Sequence, residues 1–161
     1  MAKKNAFTLI ELLVVIAIIA ILAAVVLVSL GGAQARAKDA RVTSAMNQFR
    51  TRAVLINDTN GNYTNVACSA VPDTGSCTCT DTEVRTLCTD MVLNDNQTAG
   101  DALVIRRSNS AGSNSGYCAY VHLQGTGQYW CVDSALRSKN YAAVPATCAA
   151  ACDLAGTCAC E

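Results

Sequence analysis

Apolar residues form a continuous run near the start of the chain and farther on recur at regular intervals, as one face of a helix. From Leu12 to Val28 no residue is polar, which at about 1.5 Å per residue makes a helix of about 25 Å, close to the thickness of a bilayer core. Farther on, apolar residues recur every three or four positions, the spacing of one helical face: Val42, Ala45, Met46, Phe49, Ala53 and Ile56. We therefore expect one helix from Phe7 to about Ile56, apolar over residues 7–30 and amphipathic over residues 31–56.

The remaining residues, 57–161, are polar and rich in Thr, Asn, Ser and Gly, and we call them the headpiece. The turn-forming run Asn57–Asn62 ends the long helix. From there to about Gly100 we predict a loop region stapled by cysteines, with a short helix over Thr82–Leu93. Strands separated by glycine-containing turns are predicted at Ala102–Arg107, Tyr117–Leu123 and Tyr129–Ser134. The last two form a hairpin around Gln124–Gln128. The expected fold class is α+β: a long N-terminal helix packed on a small antiparallel sheet.

One acidic residue, Glu11, lies just inside the start of the apolar run. A carboxylate in hydrocarbon costs about 2.5–3.5 kcal/mol at the centre of a bilayer, so it needs a partner or a purpose. Lys3 and Lys4 precede the run, and the positive-inside rule therefore keeps the N-terminus cytoplasmic and sends the headpiece across the membrane.

The junction Ala6-Phe7-Thr8-Leu9-Ile10-Glu11, with a short basic leader before it and a long apolar run after it, resembles that of class III-type prepilins. These are type IV pilin precursors, and type II secretion pseudopilins share the junction. In that family a membrane peptidase cuts ahead of the Phe and methylates the new amine. The resemblance implies a leader over residues 1–6, a cut between Ala6 and Phe7, and N-methylation of Phe7. Ala6 departs from the family, which usually has Gly before the cut.

The same resemblance implies how mature chains assemble. Thr8 and Glu11 are assembly residues, and the Phe7 amine of one subunit pairs with Glu11 of its neighbour. A buried pair of this kind fixes register, because one partner left alone costs several kcal/mol. The alternative is a Glu11 carboxyl that lies at the membrane interface without a partner.

The implied function is that of a structural subunit in a type IV pilus-like filament, with no enzymatic activity and no cofactor. Its partners are copies of the same chain, the prepilin peptidase, the assembly platform and ATPase of the inner membrane, and the membrane itself. The chain is thus placed first in the inner membrane and then in an extracellular or surface filament. Two alternatives stay open: a pseudopilin of a secretion or DNA-uptake system, and a monomeric single-pass protein that displays a disulfide-rich binding domain.

An ordinary secretory signal competes with the prepilin interpretation. Its apolar region is shorter, about 7–15 residues, and ends in a small-x-small cleavage site. Ala33-Gln34-Ala35 fits that pattern. A cut after Ala35 would leave Glu11 without any role.

Ten cysteines lie beyond the apolar run, an even number that predicts a disulfide framework in an exported domain: Cys68, Cys77, Cys79, Cys88, Cys118, Cys131, Cys148, Cys152, Cys158 and Cys160. Neighbours separated by one residue, such as Cys77 and Cys79, are expected to pair elsewhere rather than with each other. The spacings differ from those typical of zinc sites, so zinc is the lesser alternative. Residues from Arg137 onward form an Ala- and Cys-rich tail, whose cysteines are expected to tie it to the sheet.

Other candidate chemistry is sparse. His122, the single histidine, lies in a predicted strand without a nucleophile motif around it. Asp58, Asn60 and Asn62 weakly resemble a calcium loop, with Asp95 and Asp101 as further candidates, but the full EF-hand spacing is missing. The net charge is zero, so charge predicts no general affinity for nucleic acid.

Overall fold

The computed structural model describes residues 8–71, 76–95, 103–107, 116–145, 148 and 160, apart from the side chains of residues 28, 29 and 69–71. The chain divides into two compact units, residues 1–35 and residues 36–161. Helix α1, Leu9–Asn60, contributes to both units. The α+β class predicted from the sequence is confirmed.

Helix α1 ends four residues later than predicted, at Asn60 rather than Ile56. The polar residues that predict a turn instead continue the helix, where the Thr59 hydroxyl donates to the carbonyl of Leu55 at 2.9 Å. Gly61 then has a φ of +70°, and its amide donates to the carbonyl of Asn57 at 2.7 Å. Glycine tolerates this left-handed conformation, which makes it the usual residue after the last turn of a helix.

Four antiparallel strands form the main sheet of the second unit. In chain order they are β3 (Val104–Arg107), β4 (Tyr117–His122), β5 (Tyr129–Asp133) and β6 (Ser138–Tyr141), and they lie in that order in the sheet. The first three match the predicted strands, and the predicted hairpin joins β4 to β5. Strand β6 falls in the Ala- and Cys-rich tail from Arg137 onward, for which the sequence predicts no strand. Its residues are polar and mostly exposed, because it is an edge strand held by pairing with β5. Its sequence therefore lacks the apolar–polar alternation that predicts a strand.

A second, two-stranded sheet precedes helix α2, in a region predicted to be loops. Strands β1 (Cys68–Val71) and β2 (Ser76–Cys79) pair antiparallel, with Cys68 directly opposite Cys79. Before β1, a short 3₁₀ helix spans Thr64–Val66. The sequence analysis misses this hairpin because its residues are small or are cysteines, and neither type gives a strand pattern.

Helix α2, Thr82–Asn94, was predicted as Thr82–Leu93. Asp81 begins it, accepting a hydrogen bond from the Val84 amide at 3.0 Å, as an N-cap residue does. The same carboxylate binds the Arg52 guanidinium of α1 at 2.7 Å. The Arg52 side chain holds the pKa of Asp81 below its ordinary value.

The core of the second unit lies where α1 meets the main sheet and α2. All six residues of the predicted amphipathic stripe are buried, Phe49 and Met46 completely. The Phe49 ring packs edge-on against Tyr117 of β4, with 5.5 Å between centroids. Asp39 of α1 is also buried, and both its oxygens accept from the amide of Gly125, at 3.1 and 2.9 Å. The β4–β5 turn is thereby fixed to α1.

Candidate assembly helix and processing junction

The first part of α1 is apolar on every side and exposed wherever its side chains are described. Its large apolar side chains from Leu9 to Leu30 are between 49% and 79% exposed wherever they are described. Among the described residues α1 is the one helix long and apolar enough to cross a membrane, with a mean hydropathy of 3.4 over its most apolar 18 residues, none of them buried. A helix that is apolar all round requires a membrane or a protein environment.

The side chains of Thr8 and Glu11 cap the start of α1 by hydrogen-bonding to each other and to each other's backbone amides. Glu11 Oε2 accepts from the Thr8 amide at 2.9 Å and from the Thr8 hydroxyl at 2.8 Å, and Thr8 Oγ1 accepts from the Glu11 amide at 3.3 Å. This arrangement is a capping box, in which an N-cap Thr and a Glu three residues later satisfy amides that the first turn leaves free. The carboxylate also lies at the positive end of the helix dipole.

Sequence reasoning missed this local role of Glu11, although its signal was present. Thr8-Leu9-Ile10-Glu11 follows the Thr-x-x-Glu pattern of a capping box. The structure therefore brings together Thr8 and Glu11, two of the predicted assembly residues. Ala6 and Phe7, the residues on either side of the predicted cut, lie outside the described residues.

Residues 1–27 match the prokaryotic N-terminal methylation motif. The chain carries the signal of type IV prepilins and pseudopilins. The match covers the leader junction and the first part of α1, while the headpiece lies beyond it. No protein of curated function and no solved structure matches the chain.

This signal marks the chain as a pilin-like or pseudopilin-like substrate of prepilin peptidase. The motif is that of structural, pilin-type proteins. The apolar first part of α1 fits such a protein, because it suits anchoring in a membrane and later packing in a surface filament.

The pilin-like chain has a disulfide-rich headpiece, as predicted. Cys68 bonds to Cys79 within the β1–β2 hairpin, and Cys77 bonds to Cys88, which joins β2 to α2. The sequence neighbours Cys77 and Cys79 thus have different partners. Two further bonds tie the C-terminal tail to the main sheet, Cys118–Cys148 and Cys131–Cys160. Cys152 and Cys158 lie outside the described residues.

The weak calcium candidates serve a turn in the structure. Asn62 Oδ1 accepts from the Thr64 amide at 2.9 Å, and Asn62 Nδ2 donates to the carbonyl of Asn60 at 3.1 Å. Asp58 and Asn60 are exposed at the end of α1. Asp101 is outside the described residues, and calcium binding stays an untested prediction.

His122 lies on β4, as predicted, with its ring 4.8 Å from that of Tyr129. Its Nδ1 is buried and has no hydrogen-bond partner among the described residues. The imidazole thus packs against an aromatic ring, and no nucleophile joins it in a catalytic arrangement within the described part of the chain.

Asp95, at the C-terminal end of α2, is almost completely buried, with 4% of its surface exposed. Burial raises the pKa of this carboxyl to about 6, while a hydrogen bond from the Leu103 amide and the charge of His122 lower it. The Leu103 amide donates to Oδ2 at 3.3 Å, whereas the buried Oδ1 has no partner among the described residues. A charge here is unfavourable, because it lacks solvent and faces the negative end of the α2 dipole.

Proposed function

We propose that this chain is a structural pilin subunit, cut between Ala6 and Phe7, methylated at Phe7, and polymerised through residues 7–30 into a type IV pilus-like filament. The observation that supports the proposal best is the exposure of the apolar part of α1, none of whose most apolar 18 residues is buried, in a segment that largely coincides with the methylation motif of residues 1–27. Burying one large apolar side chain contributes about 1.5–3 kcal/mol. Such a surface is stable first in lipid and afterwards against the same helix of other subunits.

The proposal gives each part of the chain a task. Residues 1–6 are the leader, residues 7–30 the membrane and filament-core segment, residues 31–56 the amphipathic segment, and residues 57–161 the headpiece. The N-terminus starts on the cytoplasmic side of the inner membrane, and the headpiece faces outward. Assembly then requires the prepilin peptidase, a platform protein, an ATPase and further copies of the chain.

Glu11 has two tasks in this proposal. Within its own chain it caps α1 through Thr8. In the filament it also neutralises the Phe7 amine of a neighbouring subunit, since a carboxylate buried without a partner costs several kcal/mol. The charge of Glu11 serves the contact between subunits, whereas its hydrogen bonds serve the helix.

Three substitutions separate these tasks. Glu11→Gln keeps a side chain that forms a capping box but removes the charge. Glu11→Ala removes both, and Thr8→Ala removes the cap and keeps the charge. We expect filaments on Thr8→Ala cells and none on Glu11→Gln or Glu11→Ala cells, with all three proteins inserted in the membrane. Normal filaments from Glu11→Gln would rule out pairing through charge.

Mass spectrometry of the N-terminal peptide tests the processing step. We expect a chain that begins at Phe7 and carries one methyl group on its amine. A peptide that begins at Arg36 would show a secretory signal cut after Ala35 instead, and an intact Met1 would leave only a membrane anchor. Ala6→Gly, which restores the usual residue before the cut, should be processed at least as completely as the parent chain.

Electron microscopy of the cell surface distinguishes the remaining candidates. Long filaments that contain this chain indicate a pilin, whereas short fibres that require a secretion or DNA-uptake apparatus indicate a pseudopilin. Processed chains that stay monomeric in the membrane would contradict both and leave a single-pass protein with a disulfide-rich binding domain.

A further inference from the structure

Two exposed cations follow closely after the apolar part of α1. Arg36 and Lys38 come six and eight residues after Leu30, the last large apolar residue of the run, and both are exposed. Six and eight residues of α-helix are about 9 and 12 Å long. The residues that lie between the run and the first cation are small or polar: Gly31-Gly32-Ala33-Gln34-Ala35.

The side chains of Arg36 and Lys38 have no ion-pair or hydrogen-bond partner within the part of the chain that the structure describes. Asp39 follows Lys38 directly, but it is buried, and both its carboxylate oxygens accept from the amide in the β4–β5 turn. Arg41, the third cation of this segment, forms an ion pair with Asp90 of α2. Arg36 and Lys38 are therefore the two cations of this segment that can bind a partner outside the chain.

The two side chains leave the helix on nearly opposite sides. Residues two apart on an α-helix are separated by about 200° around its axis, so Arg36 and Lys38 do not face each other. A docked protein surface contacts one side of a helix, whereas a bilayer that the helix crosses surrounds it. Two unpaired cations on opposite sides therefore suit a lipid surface better than a single protein surface.

The position of the cations along the chain matches the layers of a bilayer. The segment from Leu12 to Leu30 makes about 28 Å of helix, close to the thickness of about 30 Å of a hydrocarbon core. The headgroup region adds about 5–7 Å on each side. Arg and Lys have long side chains whose charged ends extend toward the headgroups. Cations about 9 and 12 Å beyond the core can therefore reach the lipid phosphates.

We propose that Arg36 and Lys38 bind the phosphate groups of anionic phospholipids in the leaflet on the headpiece side of the membrane. Each basic residue near an anionic lipid surface strengthens binding by about fivefold. The two contacts would keep α1 at one depth in the bilayer. Such binding requires that α1 span the membrane, as in the proposed function, but it does not require polymerisation.

Native mass spectrometry of the full-length chain tests the proposal. The chain is released from micelles that contain equal amounts of anionic phosphatidylglycerol and zwitterionic phosphatidylcholine, and the ratio of the two bound lipids is measured. We expect the parent chain to prefer phosphatidylglycerol. The double variant Arg36→Gln and Lys38→Gln should lower the ratio by about fivefold for each lost charge, about 30-fold in all. An unchanged ratio would overturn the proposal.

Two control variants show whether the position of the charges matters. The double variant Arg85→Gln and Lys139→Gln removes the same charge from exposed residues of α2 and β6, and it should keep the parent ratio. Exchanging the two cations, Arg36→Lys with Lys38→Arg, should also keep it, because the lipid surface attracts the charge. An equal loss in the Arg85 and Lys139 variant would mean that net charge alone attracts the lipid, and would contradict the site.

Cross-linking and alkaline extraction separate the proposal from its alternatives. If the Arg36 and Lys38 double variant cross-links less to other copies in phosphatidylcholine micelles while its lipid ratio equals that of the parent, the cations bind another copy and the lipid proposal is wrong. A chain that alkali releases from membranes does not span them, which contradicts both this proposal and the proposed function. A retained chain with an unchanged lipid ratio contradicts the lipid proposal alone.

Discussion

The two parts of helix α1 differ in where their apolar side chains find contacts. Over residues 9–27 apolar side chains point in every direction and are exposed, down to Val14 at 49%. In the second unit six apolar residues of α1 form one buried stripe whose members are at most 5% exposed, while Val54 and Leu55 lie off the stripe and are exposed. The stripe residues are buried by the headpiece of the same chain, whereas the apolar side chains of residues 9–27 need lipid or other subunits to cover them.

This difference separates folding from assembly along a single helix. The stripe packs on α2 and on the main sheet, so its residues determine whether the headpiece folds. The exposed part makes no such contribution, and its sequence instead suits a bilayer or the helices of other subunits. Substitutions in the two parts should therefore change different measurements.

The largest effect is expected at Phe49, whose side chain is fully buried against Tyr117. Phe49→Ala should lower the free energy of unfolding of the headpiece by about 3–5 kcal/mol, because it leaves a cavity. Trp130, the one tryptophan of the chain, reports the transition by its fluorescence in urea. The matched variant Ile16→Ala, in the exposed part, should leave this transition unchanged and reduce filament yield. A shifted transition in Ile16→Ala would contradict the separation.

A somewhat smaller effect is expected from opening one bond between the tail and the sheet. The double variant Cys118→Ser and Cys148→Ser removes a link that spans 30 residues. Chain entropy alone predicts a loss of about 3–4 kcal/mol of headpiece stability. Thermal unfolding measures that loss, and retention of the chain in membranes should not change. A Tm equal to that of the parent would mean that the tail stays in place without its bond.

The smallest effect, and the most dependent on pH, is expected at Asp95. Its raised pKa means that the folded headpiece binds the proton more tightly than the unfolded chain does. Stability from the protonated form is complete below about pH 4 and is lost as the pH rises through about 6. Asp95→Asn should therefore stabilise the headpiece by about 1–3 kcal/mol at about pH 7.5, with little effect at about pH 4.

Asp81, at the opposite end of α2, provides a control of opposite sign. Arg52 lowers its pKa, so its contribution is present at neutral pH and is lost as the pH falls through that lowered value. Asp81→Asn should destabilise the headpiece at about pH 7.5, the reverse of Asp95→Asn. Urea unfolding at several pH values measures the free energy of unfolding of both variants. If that free energy changed with pH in the same direction for the two variants, the assignment would be contradicted.

Much of the fold follows from periodicity in the sequence. The spacing from Val42 to Ile56 predicts every buried stripe residue, and alternation with glycine turns predicts β3, β4 and β5. Strand β6 and the β1–β2 hairpin are missed because pairing and disulfides hold them rather than apolar side chains. The end of α1 is placed too early, since Asn57 and Thr59 form hydrogen bonds that suit a last helical turn as well as a loop.

The candidate site divides in the same way. Phe7 and Glu11 follow from a local motif, and the match over residues 1–27 agrees with that motif. The capping role of Glu11 is readable in principle, because it depends on a spacing of three residues. The burial of Asp95 and the bond between Cys131 and Cys160 depend on contacts between distant segments, which no local pattern contains.

The capped start of α1 has a consequence for the cleavage reaction. Only Phe7 and Thr8 separate the Ala6–Phe7 bond from Leu9, the first residue of the helix, and both capping partners lie on the retained side of that bond. Cutting it would leave Leu9–Asn60 and the capping hydrogen bonds between Thr8 and Glu11 in place. It would exchange the charges of Lys3, Lys4 and the original amine for that of one new amine at Phe7, four residues before Glu11 in the sequence. Maturation would then change the charge at the N-terminus while the capped helix Leu9–Asn60 stays as it is, so that precursor and mature chain differ in how they attract one another.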